Sequence, residues 1–140
     1  IGPQEKEIKA LVKHLQLEDK VTFVGFTNEV PSFLCALDIL TVPSNNEGLG
    51  TIILEGIHAG CVVIASEIGG IPEMIKHKTT GILIPCGSFI DLAGSIESIF
   101  TNEELKNQYI QNARRLAKEE FSVEAMVDGN IQVYKSLIKP

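Results

Sequence analysis

A chain of 140 residues, 44% hydrophobic and 21% charged, has the length and apolar content of one globular domain with a core. Its net charge of −6 excludes a nucleic-acid binder, which needs a clustered basic face, and six Phe and two Tyr without Trp offer no stacking platform. No apolar run reaches the ~20 residues of a membrane span, and the opening residues do not read as a signal peptide. Cys35, Cys61 and Cys86 lie in or beside apolar runs without C-x-x-C spacing. They read as small buried hydrophobes of a reduced, cytoplasmic chain.

In chain order, Ile8, Leu11, Val12 and Leu15 recur at helical spacing and predict a helix through Leu17. Ile1-Gly2-Pro3 opens abruptly on that helix, as in a segment of something longer. Val21 to Gly25 reads as a short strand, and Val30 to Leu37 as a short helix with Pro31 in its first turn. Asp38 to Val42 is strand-like, and Gly50 to Ala59 has the length and spacing of a helix closed by Gly60. The apolar run ending at Ser66 is the next strand. Glu67 to Glu73 is a glycine-bearing loop entering a short helix, Pro72 to Lys76. Residues 76–80 form a polar turn, and Gly81 to Pro85 is a fourth strand. Beyond it Phe89, Leu92, Ile96, Ile99 and Phe100, then Leu105, Tyr109, Ala113 and Leu116, then Val123, Val127, Ile131, Tyr134 and Ile138 keep helical spacing. Strands alternating with helices predict an α/β fold, a Rossmann-like parallel sheet with helices on both faces. With no repeat, low-complexity tract or linker, residues 1–140 read as a single domain.

The stretch from Asp38 to Ser66 carries the chemistry. A strand, loop and helix in this order point free N–H groups of the helix N-terminus past the carboxyl edge of the sheet, a seat for phosphate. Two acids flank that seat, Glu47 in the loop and Glu55 inside the helix. Carboxylates repel phosphate but accept from hydroxyls. A ligand with hydroxyls on both sides of its phosphates fits, and a nucleotide sugar has that layout.

Competing motifs fit less well. Gly48-Leu-Gly50-Thr-Ile-Ile53 echoes the dinucleotide fingerprint, with Glu67 at the distance of its ribose acid, but Ile53 stands where the third glycine is needed. Glu55 and His58 have the E-x-x-H spacing of di-iron bundles, yet no second copy exists. His58 reads as a ring packed on the next segment, and His14 and His77 as surface residues. No Walker, G-x-S-x-G or H-E-x-x-H sequence occurs.

Pro43-Ser44-x-x-Glu47-Gly48-x-Gly50-x4-Glu55-x4-Gly60-x-Val62-Val63 closely resembles the nucleotide-sugar signature of retaining glycosyltransferases with the GT-B fold, the group 1 or family four type. Val21-x-Phe23-x-Gly25, Asp38, Gly69-Gly70-Ile71-Pro72-Glu73, Gly81-Ile-Leu-Ile-Pro85, Arg114-Arg115 and Glu119-Glu120-Phe121-Ser122 follow in matching order, so the likeness covers essentially the whole chain. The resemblance implies the C-terminal, donor-binding half of a GT-B enzyme that moves a hexose from a nucleotide diphosphate sugar to a glycan, lipid or small-molecule acceptor. It implies that Glu47 is the catalytic residue, a carboxylate lying against the donor hexose nearest the reacting face, orienting and electrostatic in role. The N–H groups of Gly48, Leu49 and Gly50 would meet sugar hydroxyls, those of Thr51 and Ile52 the diphosphate, and Glu55 would accept from the ribose hydroxyls. Phe26 and Thr27, after Gly25, are candidates for the nucleobase. Leu49 stands where the family more often has an aromatic, which leaves the sugar open. Stabilisation of the leaving diphosphate by helix dipoles requires no metal ion or cofactor.

By the same resemblance the acceptor-binding domain, the first one or two strands of this domain and their basic diphosphate ligands lie outside the chain. The strands at 21–24 and 39–42 are then expected to pair directly, or to borrow an edge from a second copy as a dimer. The fragment alone is expected to bind nucleotide weakly and transfer nothing. Peripheral association of the longer enzyme with a membrane is a further expectation. A non-catalytic nucleotide- or partner-binding module that kept the fold stays open as the alternative.

Overall fold

The computed structural model describes residues 2–138. The chain divides into two compact units, Ile1–Val30 and Pro31–Pro140. The first holds α1 (Glu5–His14). The expected continuation to Leu17 stops because Gln16 takes φ 56°. There the Leu17 N–H reaches the Val12 carbonyl at 3.0 Å and the Gln16 N–H that of Lys13 at 3.1 Å, a Schellman closure that satisfies the last helical carbonyls. The Lys9 ammonium lies 5.3 Å from the centre of the Phe23 ring, within cation–π reach. The strand expected over Val21 to Gly25 is not formed. These residues are irregular, and Val21, Phe23 and Val24 are exposed. Strand-favouring side chains make a strand only where a neighbour completes the ladder.

The elements that follow are α2 (Val30–Leu34), β1 (Ile39–Val42), α3 (Ile52–Ala59), β2 (Val62–Ser66), α4 (Ile71–Met74), β3 (Ile82–Ile84), α5 (Phe89–Phe100), α6 (Glu103–Glu120) and α7 (Val123–Leu137). α2 is shorter than its pattern predicts, tightening into three-residue turns that carry the chain to Leu37. Among the described residues the sheet has three parallel strands in the order β1-β2-β3, with Thr41 opposite Ile64 and Ala65 opposite Leu83. Among the described residues the one ladder of β1 is with β2 and 21–24 form no strand, so the direct pairing expected of 21–24 with 39–42 is not found. A second copy along β1 is the form of that expectation that remains.

All five residues of β2 are buried, as a central parallel strand covered on both faces requires. Val63 and Ala65 pack on one face with Ile53 and Ile57 of α3 and Ile71 and Met74 of α4. Val62 and Ile64 pack on the other with Ile82, Ile84, Ile99 and Tyr109. α6 supplies both clusters, Ala113 and Ala117 to the first and Tyr109 to the second. Each fully buried isoleucine contributes on the order of 1.5–3 kcal/mol. A Cβ on Gly56 would come within 2.5 Å of a Leu40 terminal methyl, so α3 lies close enough to β1 that any larger residue would require that methyl to move. α3 ends at Gly60, φ 97°. Its own and Cys61's N–H close a second Schellman motif onto Ile57 and Gly56. α5, α6 and α7 each start at a side-chain cap, Ser88, Asn102 and Ser122, as expected of polar residues before helical runs.

Two single-residue expectations change, those for Cys35 and Cys86, and two others hold with added detail. Cys61 is buried, its thiol donating to the Leu34 carbonyl at 3.3 Å, and burial pushes its proton affinity up. Cys35 and Cys86 are exposed, because Leu34 takes the inward place on α2 and Cys86 falls in the turn after β3. His77 is exposed but does more than face solvent. The Leu83 N–H donates to its Nδ1 at 3.0 Å, which covers part of the outer edge of β3. None of the described helices is long and apolar enough to cross a membrane.

Candidate functional site

The turns that follow β1 and β2 meet at the carboxyl edge of the sheet. The Gly70 N–H donates to the Gly48 carbonyl at 2.9 Å, and a Cβ on Gly69 would sit 2.0 Å from the Glu47 carbonyl oxygen. The carbonyls of Glu47 and Gly48 therefore face the Gly69-Gly70 turn. In a planar trans peptide the N–H lies opposite the carbonyl, so the N–H groups of Gly48 and Leu49 point away from it. Gly50 then takes φ 64°, a left-handed step suited to glycine, and Thr51 at φ −54°, ψ −25° leads into α3. Among the described residues, none of the N–H groups from Gly48 through Ile52 donates to a protein acceptor. Successive unspent donors at a helix N-terminus, where the dipole is positive, form an anion seat.

Glu47 is half-buried, its Cγ 3.3 Å from where a Cβ on Gly50 would be. The Ser44 hydroxyl donates to its Oε2 at 3.5 Å. Glu55 lies in the first turn of α3, closer to the helix start than expected because the helix begins at Ile52 and not Gly50. It is exposed and lines a groove of about 420 Å³ with Pro31, Leu34, Leu54 and His58. Glu47 does not line that groove. The structure thus brings Glu47, Gly48, Leu49, Gly50, Thr51 and Ile52 together on one loop, and sets Glu55 one helical turn on, in an adjoining apolar groove. Leu49 is exposed.

Phe26 is 90% exposed, and the Thr27 hydroxyl oxygen accepts from the Glu29 N–H at 3.0 Å; both belong to the first unit. His58 spends its Nδ1–H on the Leu54 carbonyl at 2.8 Å, within its own helix. Sequence reasoning missed Cys86 as a neighbour of this loop, and took Ser44 and Gly69-Gly70 only as parts of matching motifs. The thiol of Cys86 donates to Asn45 Oδ1 at 3.3 Å and lies 3.7 Å from the Ser44 carbonyl. The paired glycines carried a signal of their own, a loop after a strand where two residues lack a Cβ, and Cys86 carried none.

Residues 1–116 match the family model described as glycosyl transferases group 1. The chain belongs to the group 1 glycosyl transferase family. This group 1 chain is 32% identical over 138 residues to N-acetyl-alpha-D-glucosaminyl L-malate synthase of Bacillus anthracis, covering 99% of its own length and 36% of that protein. It is 28% identical to alpha-D-kanosaminyltransferase of Streptomyces kanamyceticus, covering 97% of itself and 36% of the relative. Among solved structures, HepE of Anabaena in complex with UDP superimposes with a TM-score of 0.84 at 29% identity, over 94% of this chain and 36% of that one. The C-terminal domain of the group 1 protein LpcC of Francisella tularensis gives 0.77 at 29% identity, over 87% and 66%. The α/β architecture is that of the C-terminal domain of GT-B glycosyltransferases, and the group 1 chain spans about 36% of the length of these two curated relatives.

Proposed function

We propose that this chain is the donor-binding half of a retaining glycosyltransferase that moves a hexose from a nucleotide diphosphate sugar to a glycan, lipid or small-molecule acceptor. One observation carries the reading: five consecutive N–H groups, Gly48 through Ile52, have no protein acceptor among the described residues. They lead from the half-buried Glu47 to the first turn of α3, where Glu55 stands. The N–H groups nearest Glu47 serve sugar hydroxyls, and those of Thr51 and Ile52 serve the diphosphate, whose charge grows as the bond to the sugar breaks. Glu47, an acceptor only, orients the hexose and faces the positive charge that its ring carbon develops. Glu55 accepts from the ribose hydroxyls, and the apolar groove beside it gives the nucleoside an uncharged wall. The acceptor site belongs to the rest of a longer chain.

HepE was crystallised with UDP and with UDP-glucose, which makes uridine donors the first to test. Titration of the full-length protein with UDP and GDP is expected to show binding at millimolar affinity or better. Glu55→Ala should weaken it about tenfold or more, the loss of charge-assisted hydrogen bonds. A full-length chain that binds neither nucleotide overturns the reading. Binding of a nicotinamide dinucleotide in their place would restore the dinucleotide fingerprint as the better account of Gly48 and Gly50.

A further inference from the structure

The backbone of the Glu47 loop is held by the Gly69-Gly70 turn, but that contact does not fix the carboxylate. Among the described residues the only hydrogen bond to the Glu47 side chain comes from the Ser44 hydroxyl, which donates to Oε2 at 3.5 Å. Ser44 is half-buried, three residues earlier in the same loop. At this length it is a weak hydrogen bond, beyond the usual hydroxyl–oxygen range, which a small shift of either side chain would tighten. A third loop reaches the same segment. The Cys86 thiol, in the turn between β3 and α5, has one proton to give. Its nearer acceptor is Asn45 Oδ1 at 3.3 Å, with the Ser44 carbonyl 3.7 Å away on the same side. The contact spans 41 residues of sequence, so it ties the loop after β1 to the loop after β3.

We propose that Ser44 is a positioning residue for Glu47, aiming its carboxylate at the donor hexose, and that Cys86 holds Ser44 in register by latching Asn45. The inference rests on the donor-binding reading above and adds a chain of command within that site. A nucleoside diphosphate has no hexose, so binding it does not require an aimed Glu47, whereas cleavage of the sugar–phosphate bond does. The latch should therefore appear in turnover and not in nucleotide affinity.

The test uses the full-length protein and, among UDP and GDP sugars, whichever donor it turns over, with nucleoside diphosphate release as the rate and UDP calorimetry as the affinity. Ser44→Ala is expected to lower kcat about five- to tenfold, the effect of one hydrogen bond, with UDP affinity unchanged within about twofold. Acting through Glu47, it should cost nothing further in the Ser44→Ala/Glu47→Gln double variant relative to Glu47→Gln alone. Cys86→Ala is expected to lower kcat about two- to threefold, and Cys86→Ser, which keeps a donor, to restore it. Effects of Ser44→Ala and Glu47→Gln that multiply in the double variant overturn the proposal. So does a Ser44→Ala enzyme with wild-type kcat, or one whose UDP affinity falls in step with kcat. A protein in which Glu47→Gln is itself silent and UDP does not bind refutes the donor-binding reading instead, a different result from loss of the latch alone.

Discussion

The two ends of β2 are finished in opposite ways. At its amino end every exit is tied: the Val62 N–H bonds to the Asp38 carbonyl at 3.0 Å, the buried Cys61 thiol to Leu34, and the Arg114 guanidinium to the His58 carbonyl at 3.4 Å. Lys106 of α6 bonds to Asp38 just before β1, at 2.7 Å. At the carboxyl end the chain passes through Gly48, Gly50, Gly69 and Gly70, with a run of N–H groups that have no protein acceptor among the described residues. The first N–H groups of a helix have no partner within it and are left to water or to a ligand; on the proposed reading this is the end that takes the nucleotide, while the opposite end is closed by protein contacts.

The sharpest way to break this contrast is through the thiols, since one stands at each end. Cys61 is buried and its thiol held protonated by its surroundings; Cys86 lies exposed beside the Glu47 loop. Alkylation with iodoacetamide, followed by peptide mapping, should modify Cys86 at least about a hundredfold faster than Cys61, which reacts only through local opening. Equal rates would mean that the amino end opens as freely as the carboxyl end, and the contrast would fail.

Much of this division is legible in the residues, and the failures are informative. The buried run Val62 to Ser66, the helix closed at Gly60 and the three C-terminal helices follow from apolar periodicity and caps, because each of those elements is decided by residues close in sequence. Val21 to Gly25 has strand-like side chains and makes no strand, because a ladder depends on a neighbour that local composition does not specify. The Glu47 loop shows the same limit. Its glycines and acids are visible in the sequence, but the contacts that shape it come from Gly69, Gly70 and Cys86, brought near by the parallel order of the strands. Cys35 and Cys86 looked buried because apolar neighbours surround them in sequence, whereas burial depends on which side of α2 or which turn they occupy.

A second test acts on the shape of the open end. Gly69 has φ 56°, and a Cβ there would stand 2.0 Å from the Glu47 carbonyl. The neighbour is backbone and cannot rotate away. Gly69→Ala should therefore push the two turns apart, lower stability by about 1–3 kcal/mol, and weaken UDP binding by the full-length protein about tenfold or more. Gly87→Ala, in the next turn at φ 77° but with nothing within 4 Å, carries strain without the clash and should leave binding near wild type. If the two variants weaken UDP equally, backbone strain alone explains the effect, and Gly69 does not shape the anion seat.

The smallest effect is expected at the tied end. The Lys106 ammonium is held above its ordinary range by its hydrogen bond to Asp38, with Glu103 adding to the field. Glu103 approaches it at 3.8 Å. A base whose folded proton affinity is raised stabilises the fold while protonated. That contribution is fully present below the ordinary lysine range and is lost as pH rises through the higher folded value. Lys106→Met should lower the melting temperature slightly at pH 7, by no more than about two degrees given how little solvent-screened pairs contribute. The difference should fade as pH is raised past about 10.5, where lysine ordinarily titrates, and UDP affinity should not change at any pH. A variant that binds UDP less well would show that the tied end reaches the ligand after all, and that β2 passes strain from one end of the sheet to the other.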